Sequence, residues 1–158
     1  MLGIDPGSAA TGWALIRSSG RFVELEASGV IRTGSGERTE RLAILERAMT
    51  EVVVSLRPER AAVESGFSGK HPRAGLMLAE SRGVVLAVLG RYVIPTLSLS
   101  PAEVKTAVVG YGRAEKDQVV FMVTRLLNLA KPPARDAADA MAVALTGLRR
   151  RGDPRSTQ

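Results

Sequence analysis

The chain of 158 residues contains no cysteine and a single histidine, His71. The first absence excludes disulfides, thiolate zinc sites and cysteine nucleophiles, and the second excludes sites built on several imidazoles. Aromatic residues make up only 4% of the chain, with one Trp, two Tyr and three Phe. No apolar run approaches the roughly 18 residues of a membrane span; residues 84–89 and 140–145 are the longest candidates and both are short. The start, Met1-Leu2-Gly3-Ile4-Asp5, has neither a basic segment nor a small-residue cleavage site, so it does not read as a secretory signal. A cytoplasmic protein with no membrane partner is expected. The side chains left for chemistry are carboxylates, hydroxyls, Lys and Arg.

Charge is plentiful, and it is uneven. Lys and Arg number 22 against 16 Asp and Glu, a net of +6. Residues 1–104 hold 12 basic and 11 acidic side chains, whereas residues 105–158 hold 10 and 5. A small domain with one basic region suits a polyanionic partner, most often nucleic acid. The competing explanation is an Arg-rich composition without functional meaning, since 18 of the 22 bases are Arg. At this length, with 45% hydrophobic residues, one core and one site are expected.

Turn residues divide the chain into short elements. A strand at 1–5 is broken by Pro6-Gly7-Ser8. Strands at 12–18 and about 22–32 follow, completing an antiparallel meander. Leu42, Leu45, Met49, Val52, Val53 and Leu56 lie at helical spacing, and Pro58 ends that helix. A strand at 60–64, a helix at about 74–90 and a buried strand at 91–97 come next. Ser100 and Pro101 suit the N-cap and first position of a short helix. Helices at about 115–129 and 136–149 complete a domain of residues 1–149, leaving 150–158 as a basic, disordered tail. The order β-β-β-α-β-α-β-α-α-α predicts an α/β fold. Its mixed five-stranded sheet has three antiparallel strands, then parallel ones, with helices on both faces.

Four carboxylates stand at element ends. Asp5 closes the first strand, although Asp-Pro-Gly is also an ordinary turn start. Glu64 closes the run Ala61-Ala62-Val63 before a Gly-rich loop, where Glu has no turn-forming role. Asp136 and Asp139 lie three apart, on one face of a helix start. Capping and the helix dipole alone would account for Asp there. Their neighbours are alanines, small enough to let the first turn approach the sheet. If right-handed crossovers set the strand ending at Glu64 beside the one ending at Asp5, all four converge at one sheet edge. Such a cluster is costly without a cation, and hard oxygen donors suit Mg²⁺ or Mn²⁺. Two such ions serve both sides of a phosphodiester during hydrolysis.

Several blocks together carry a specific likeness. These are Leu2-Gly3-Ile4-Asp5-Pro6-Gly7-Ser8 with Thr11-Gly12, Val63-Glu64 with Phe67, Lys105-Thr106-Ala107-Val108-Val109-Gly110 with Glu115-Lys116, and Asp136-Ala137-Ala138-Asp139-Ala140. In order and over nearly the whole chain, they resemble the RuvC family of bacterial Holliday-junction resolvases. The resemblance implies a ribonuclease H-like fold, a homodimer, and Mg²⁺-dependent paired nicking of four-way junction DNA. It also implies work with the RuvA–RuvB branch-migration complex. By motif, Asp5, Glu64, Asp136 and Asp139 match the family's metal-binding catalytic positions. Lys105 and Lys116 match its active-site lysines, and Phe67 its junction-facing aromatic.

These three also make sense on their own chemistry. Lys105 and Lys116 bracket Gly110-Tyr111-Gly112, a loop able to approach a phosphate backbone closely. Either ammonium could steady charge on a phosphate or leaving oxygen, Lys116 being the one assigned to catalysis. A solvated surface charge is the simpler reading of each. Phe67 could stack on an unpaired base or anchor its loop on the core. Arg73 and Arg113 are assigned with Phe67 and the lysines to the DNA-binding surface. Where the family commonly has Gln and a β-branched residue after the glutamate, this chain has Ser65-Gly66, which bears on cut-site preference. His71 reads as a loop residue facing DNA or solvent.

Two other functions fit parts of the pattern. Asp-Pro-Gly-Ser with Thr-Gly also resembles the first phosphate loop of actin–hexokinase nucleotide-binding proteins, but those clamp nucleotide between two domains of this size. A related ribonuclease H-like RNA-processing nuclease is disfavoured by Glu64 on the fourth strand and by the full Lys105–Lys116 block.

Overall fold

The computed structural model describes residues 1–20, 22–66 and 72–151. Strand β1 is Leu2–Asp5, β2 is Ala10–Ser19 and β3 is Phe22–Arg32; helix α1 spans Arg38–Leu56 and strand β4 Ala61–Glu64. Helix α2 (Pro72–Arg91), strand β5 (Thr96–Leu99), and helices α3 (Pro101–Val109), α4 (Lys116–Leu126) and α5 (Arg135–Arg151) follow. The five strands lie in the order β3-β2-β1-β4-β5. Strands β1, β2 and β3 pair antiparallel, whereas β1 with β4 and β4 with β5 pair parallel. The expected mixed sheet and element order are both present.

Alternation along the strands decides which residues meet which helices. Leu2, Ile4, Leu15, Ala61 and Val63 point to the face covered by α1 and α2, where they meet Leu45, Met49, Val53, Val85, Val88 and Leu89. Ala14, Ile16, Ala62 and Leu99 point to the other face and pack under α3, α4 and α5. Helix α5 supplies the largest single share of that second core, between Ala137 and Leu145. Its alanines allow an unusually close seat. A Cβ added at Gly3 would lie 2.2 Å from the Ala140 carbonyl oxygen, and one at Gly12 would lie 2.0 Å from that of Asp136. Both distances are impossible, so these two glycines are required where the helix crosses β1 and β2.

The helix ends follow local chemistry. Ser100 caps α3 as expected, accepting from the Glu103 amide while the Glu103 carboxylate accepts from the Ser100 amide, with Pro101 inside the first turn. Helix α1 stops at Leu56, where left-handed Arg57 (φ 46°) donates its amide to the Val53 carbonyl at 2.9 Å just before Pro58.

The expected strand at 91–97 is a correction. Residues 92–94 close the end of α2 instead: Val93 donates its amide to Gly90 at 3.0 Å and Ile94 donates to Leu89 at 3.0 Å. Val93 is left-handed at φ 55° and 84% exposed, and the strand begins only at Thr96. β-Branched residues suggested a strand, but the helix-closing bonds took the backbone first. The tail boundary moves too. Arg150 and Arg151 belong to α5, and the Arg150 guanidinium pairs with Glu103 at 2.6 Å. Residues 152–158 lie outside the described residues. No described helix is long and apolar enough to cross a membrane.

Candidate active site

The parallel register sets Ile4 beside Val63, so the next residues, Asp5 and Glu64, end adjacent strands side by side. Each lies two residues beyond a position under α5, namely Gly3 and Ala62. Their side chains therefore share the α5 face. The close seat over Gly3 and Gly12 lowers the first turn of α5 onto that edge. Asp5, Glu64 and Asp139 consequently line one cleft of about 260 Å³ with Lys105 of α3 and Lys116 of α4. Pro101, Val104 and Val119 form its apolar side. Asp136 does not line this cleft. It sits in the first turn of α5 and acts on Asp5 only through its charge.

Burial and crowding shift the protonation of these groups. The Asp5 carboxyl is pushed up to about 8, first by burial, then by the charges of Glu64 and Asp139, with Lys116 opposing and Asp136 adding a little. Glu64 is pushed up to about 7, by burial and then Asp139, against Lys116 and Lys105. Lys116 donates to the Asp139 carboxylate at 3.3 Å, and that negative charge holds its ammonium above the ordinary lysine range. Its side chain is 66% exposed against 17% for Asp139. It stands at the mouth of the cleft, free to turn between the carboxylate and an incoming anion. Among the described residues, no three carboxylate or imidazole side chains stand together as ready ligands for an ion. The donor set fits a hard divalent cation nonetheless. It consists of oxygens alone, and in the absence of an ion, burial and then the neighbouring carboxylates raise Asp5 and Glu64 well above the ordinary carboxylate range.

The other expected positions are more scattered. Arg73, in the first turn of α2, and Arg113, beyond Gly112, are both exposed and neither lines the cleft. Phe67 and His71 lie outside the described residues. Ser65, at the departure from the family pattern, is tied to β5: its amide donates to the Leu99 carbonyl at 2.8 Å and its hydroxyl at 3.1 Å. Tyr111 donates its hydroxyl to Gln118 at 2.7 Å, fixing the glycine loop against α4. Sequence reasoning missed Arg38 and Arg41 of α1, which both donate to the Ser8 carbonyl in the turn after Asp5. Among charged residues on an amphipathic helix, nothing in the pattern sets them apart.

The profile of the family described as crossover junction endodeoxyribonuclease RuvC matches residues 1–147. The chain belongs to the RuvC family. A RuvC from Alkalilimnicola ehrlichii is 42% identical over 148 residues, spanning 94% of this chain and 90% of that one. The solved structure of Thermus thermophilus RuvC in complex with Holliday junction substrate superposes with a TM-score of 0.84 at 31% identity, covering 92% of this chain and 90% of that chain. The yeast mitochondrial Holliday junction resolvase shares the fold, with a TM-score of 0.68 at 15% identity over 94% of this chain and 78% of that chain. The RuvC relationship accounts for the five-stranded mixed sheet.

Proposed function

We propose that the chain is a metal-dependent endonuclease that resolves Holliday junctions by paired symmetric nicks during recombination and repair. What carries this reading is the meeting of Asp5, Glu64 and Asp139 with two lysines in one cleft, in a chain whose Thermus relative is described with a Holliday junction substrate. Asp5, Glu64 and Asp139 would hold Mg²⁺, or Mn²⁺ in its place, as two ions, with Asp136, matched by motif to the same metal-binding set, contributing from the first turn of α5. Bound there, such ions polarise the scissile phosphate and make an attacking water more acidic.

The chain's own residues do the rest. Asp5 and Glu64, at the ends of adjacent parallel strands, fix the floor of the site. Asp139 joins them from α5, and Asp136 deepens the negative field. Lys116 leaves Asp139 to meet a phosphate or departing oxygen, and Lys105 adds positive charge from α3. The apolar side formed by Val104 and Val119 limits water on one flank. Phe67, Arg73 and Arg113 are assigned by the same reading to contacts with junction DNA. Residues 1–149 act as one nuclease domain. One cleft per chain and two symmetric cuts per junction call for a homodimer with a two-fold axis. Work alongside the RuvA–RuvB complex in the bacterial cytoplasm, at the nucleoid, belongs to the same reading.

The test is a synthetic four-way junction incubated with purified protein and Mg²⁺. Paired symmetric nicks are expected, and random nicking or none would refute the proposal. Asp5→Asn should abolish cleavage while junction binding persists. If a folded D5N variant lost binding in parallel, the metal-holding role of Asp5 would be wrong.

A further inference from the structure

The turn that follows Asp5 is held by a set of polar bonds, and three of its anchors, Thr33, Arg38 and Arg41, come from far along the chain. Gly7 donates its amide to the Thr11 hydroxyl at 3.4 Å. Thr33 donates to the Ala9 carbonyl with its amide at 3.2 Å and with its hydroxyl at 3.3 Å. Arg41 bridges the Ser8 carbonyl and the Thr33 hydroxyl. Arg38 reaches furthest. One nitrogen donates to the Ser8 carbonyl at 3.4 Å, Nε to the Glu80 carboxylate at 2.6 Å, and the third to the Met77 carbonyl and, at 3.0 Å, to the Ser81 hydroxyl.

Glu80, Met77 and Ser81 all belong to α2, and Ser81 is buried. A single planar guanidinium on α1 therefore joins the first half of α2 to the peptide three residues past Asp5. Lysine offers no fixed fork and cannot span these acceptors in one geometry.

We propose that Arg38 is a positioning residue: through the Ser8 carbonyl it transmits the placement of α2 to the Asp5 turn, and so sets the aim of the Asp5 carboxylate. Asp5 is the last residue of a four-residue strand and is paired with Gly12 of β2, so the turn beyond it supplies the remaining restraint on its direction. Misplacement by about 1 Å at a catalytic group costs on the order of a hundredfold in rate. The inference deepens the nuclease reading and rests on it for its kinetic consequence, though not for its structural one.

The experiment compares Arg38→Gln and Arg38→Lys with the wild type. Amide hydrogen exchange is followed on the metal-free, DNA-free protein, and single-turnover cleavage is followed at saturating junction with Mg²⁺. In R38Q, protection at Gly7 and Thr33 should fall and the cleavage rate should drop at least about tenfold, with junction affinity within twofold of wild type. R38K should recover only part of the rate. Wild-type protection at both amides in R38Q would overturn the proposal. So would a rate loss that merely follows the unfolded fraction measured on the same samples. A wild-type chain that left junctions intact would defeat the nuclease reading alone, and the exchange data would still decide the coupling.

Discussion

At the scale of the residue, the site is a problem of uncompensated charge. Asp5 and Glu64 hold protons far above their ordinary range because they are buried beside one another and beside Asp139. The folded, metal-free protein therefore retains protons that the unfolded chain releases between about pH 4 and the raised values near 8 and 7. Extra protons on the native state mean that stability is greatest at the acid end of this window and declines as pH rises through it. Asp5→Asn removes the larger contribution. Denaturant melts in chelator should show wild type losing more stability than D5N between about pH 5 and pH 8.5. Equal losses would mean that Asp5 is not crowded as described. Asp5 and Glu64 were legible in sequence because each ends an apolar run too short to be anything but a strand. Arg38 and Arg41 were not, because an inward-reaching arginine looks like a solvated one until its acceptors are known.

At the scale of the element, the seat of α5 decides the geometry. A methyl group at Gly12 has no space against the Asp136 carbonyl, so Gly12→Ala must push the first turn of α5 off the sheet. A loss of about 1–3 kcal/mol is expected for such overpacking, together with a cleavage defect larger than the unfolded fraction explains. Normal activity in G12A would show that the aspartates tolerate displacement. The opposite sign is expected at Val93, a β-branched residue in the left-handed region and exposed. Val93→Gly should stabilise the chain by about 1 kcal/mol, read from urea denaturation, and an unchanged midpoint would count against strain there. The alanines of 137–140 announced a close helix in advance. The stretch Tyr92-Val93-Ile94 misled, because strand preference is a statement about packing on a pleated surface, and these residues bond back to the end of α2 rather than into the sheet ladder.

At the scale of the whole molecule, the fold brings together residues that the chain keeps far apart. Glu64 meets Asp5 because β4 returns parallel to β1, and Asp139 joins them because α5 crosses β1 and β2 over Gly3 and Gly12. That crossover follows from handedness and element order, which is why the sheet order could be anticipated from sequence. The partners of Arg38 on α2 depend on helix rotation, which element order does not determine. The assembled carboxylates should make Mg²⁺ a ligand of the native state only. Saturation at a hundred times the dissociation constant corresponds to about 2.7 kcal/mol. The melting temperature should rise with Mg²⁺, and more at pH 8 than at pH 5, where the ion must first displace protons from Asp5 and Glu64. A melting temperature indifferent to Mg²⁺ at both pH values would argue against a shared ion site.

The seat of α5 on bare glycine also constrains the history of the chain. From Ala137 to Leu145, all residues but the half-buried Asp139 are buried, and the helix backbone touches the sheet where Gly3 and Gly12 have no side chain. Any enlargement on either side of that contact moves Asp136 and Asp139 relative to Asp5, so on the proposed reading a drift in volume there should also alter the cleavage rate. Neutral substitutions must collect elsewhere, on the outer faces of α1 and α4. The most slowly diverging part of this protein should therefore be the alanine-rich stretch from Ala137 to Leu145.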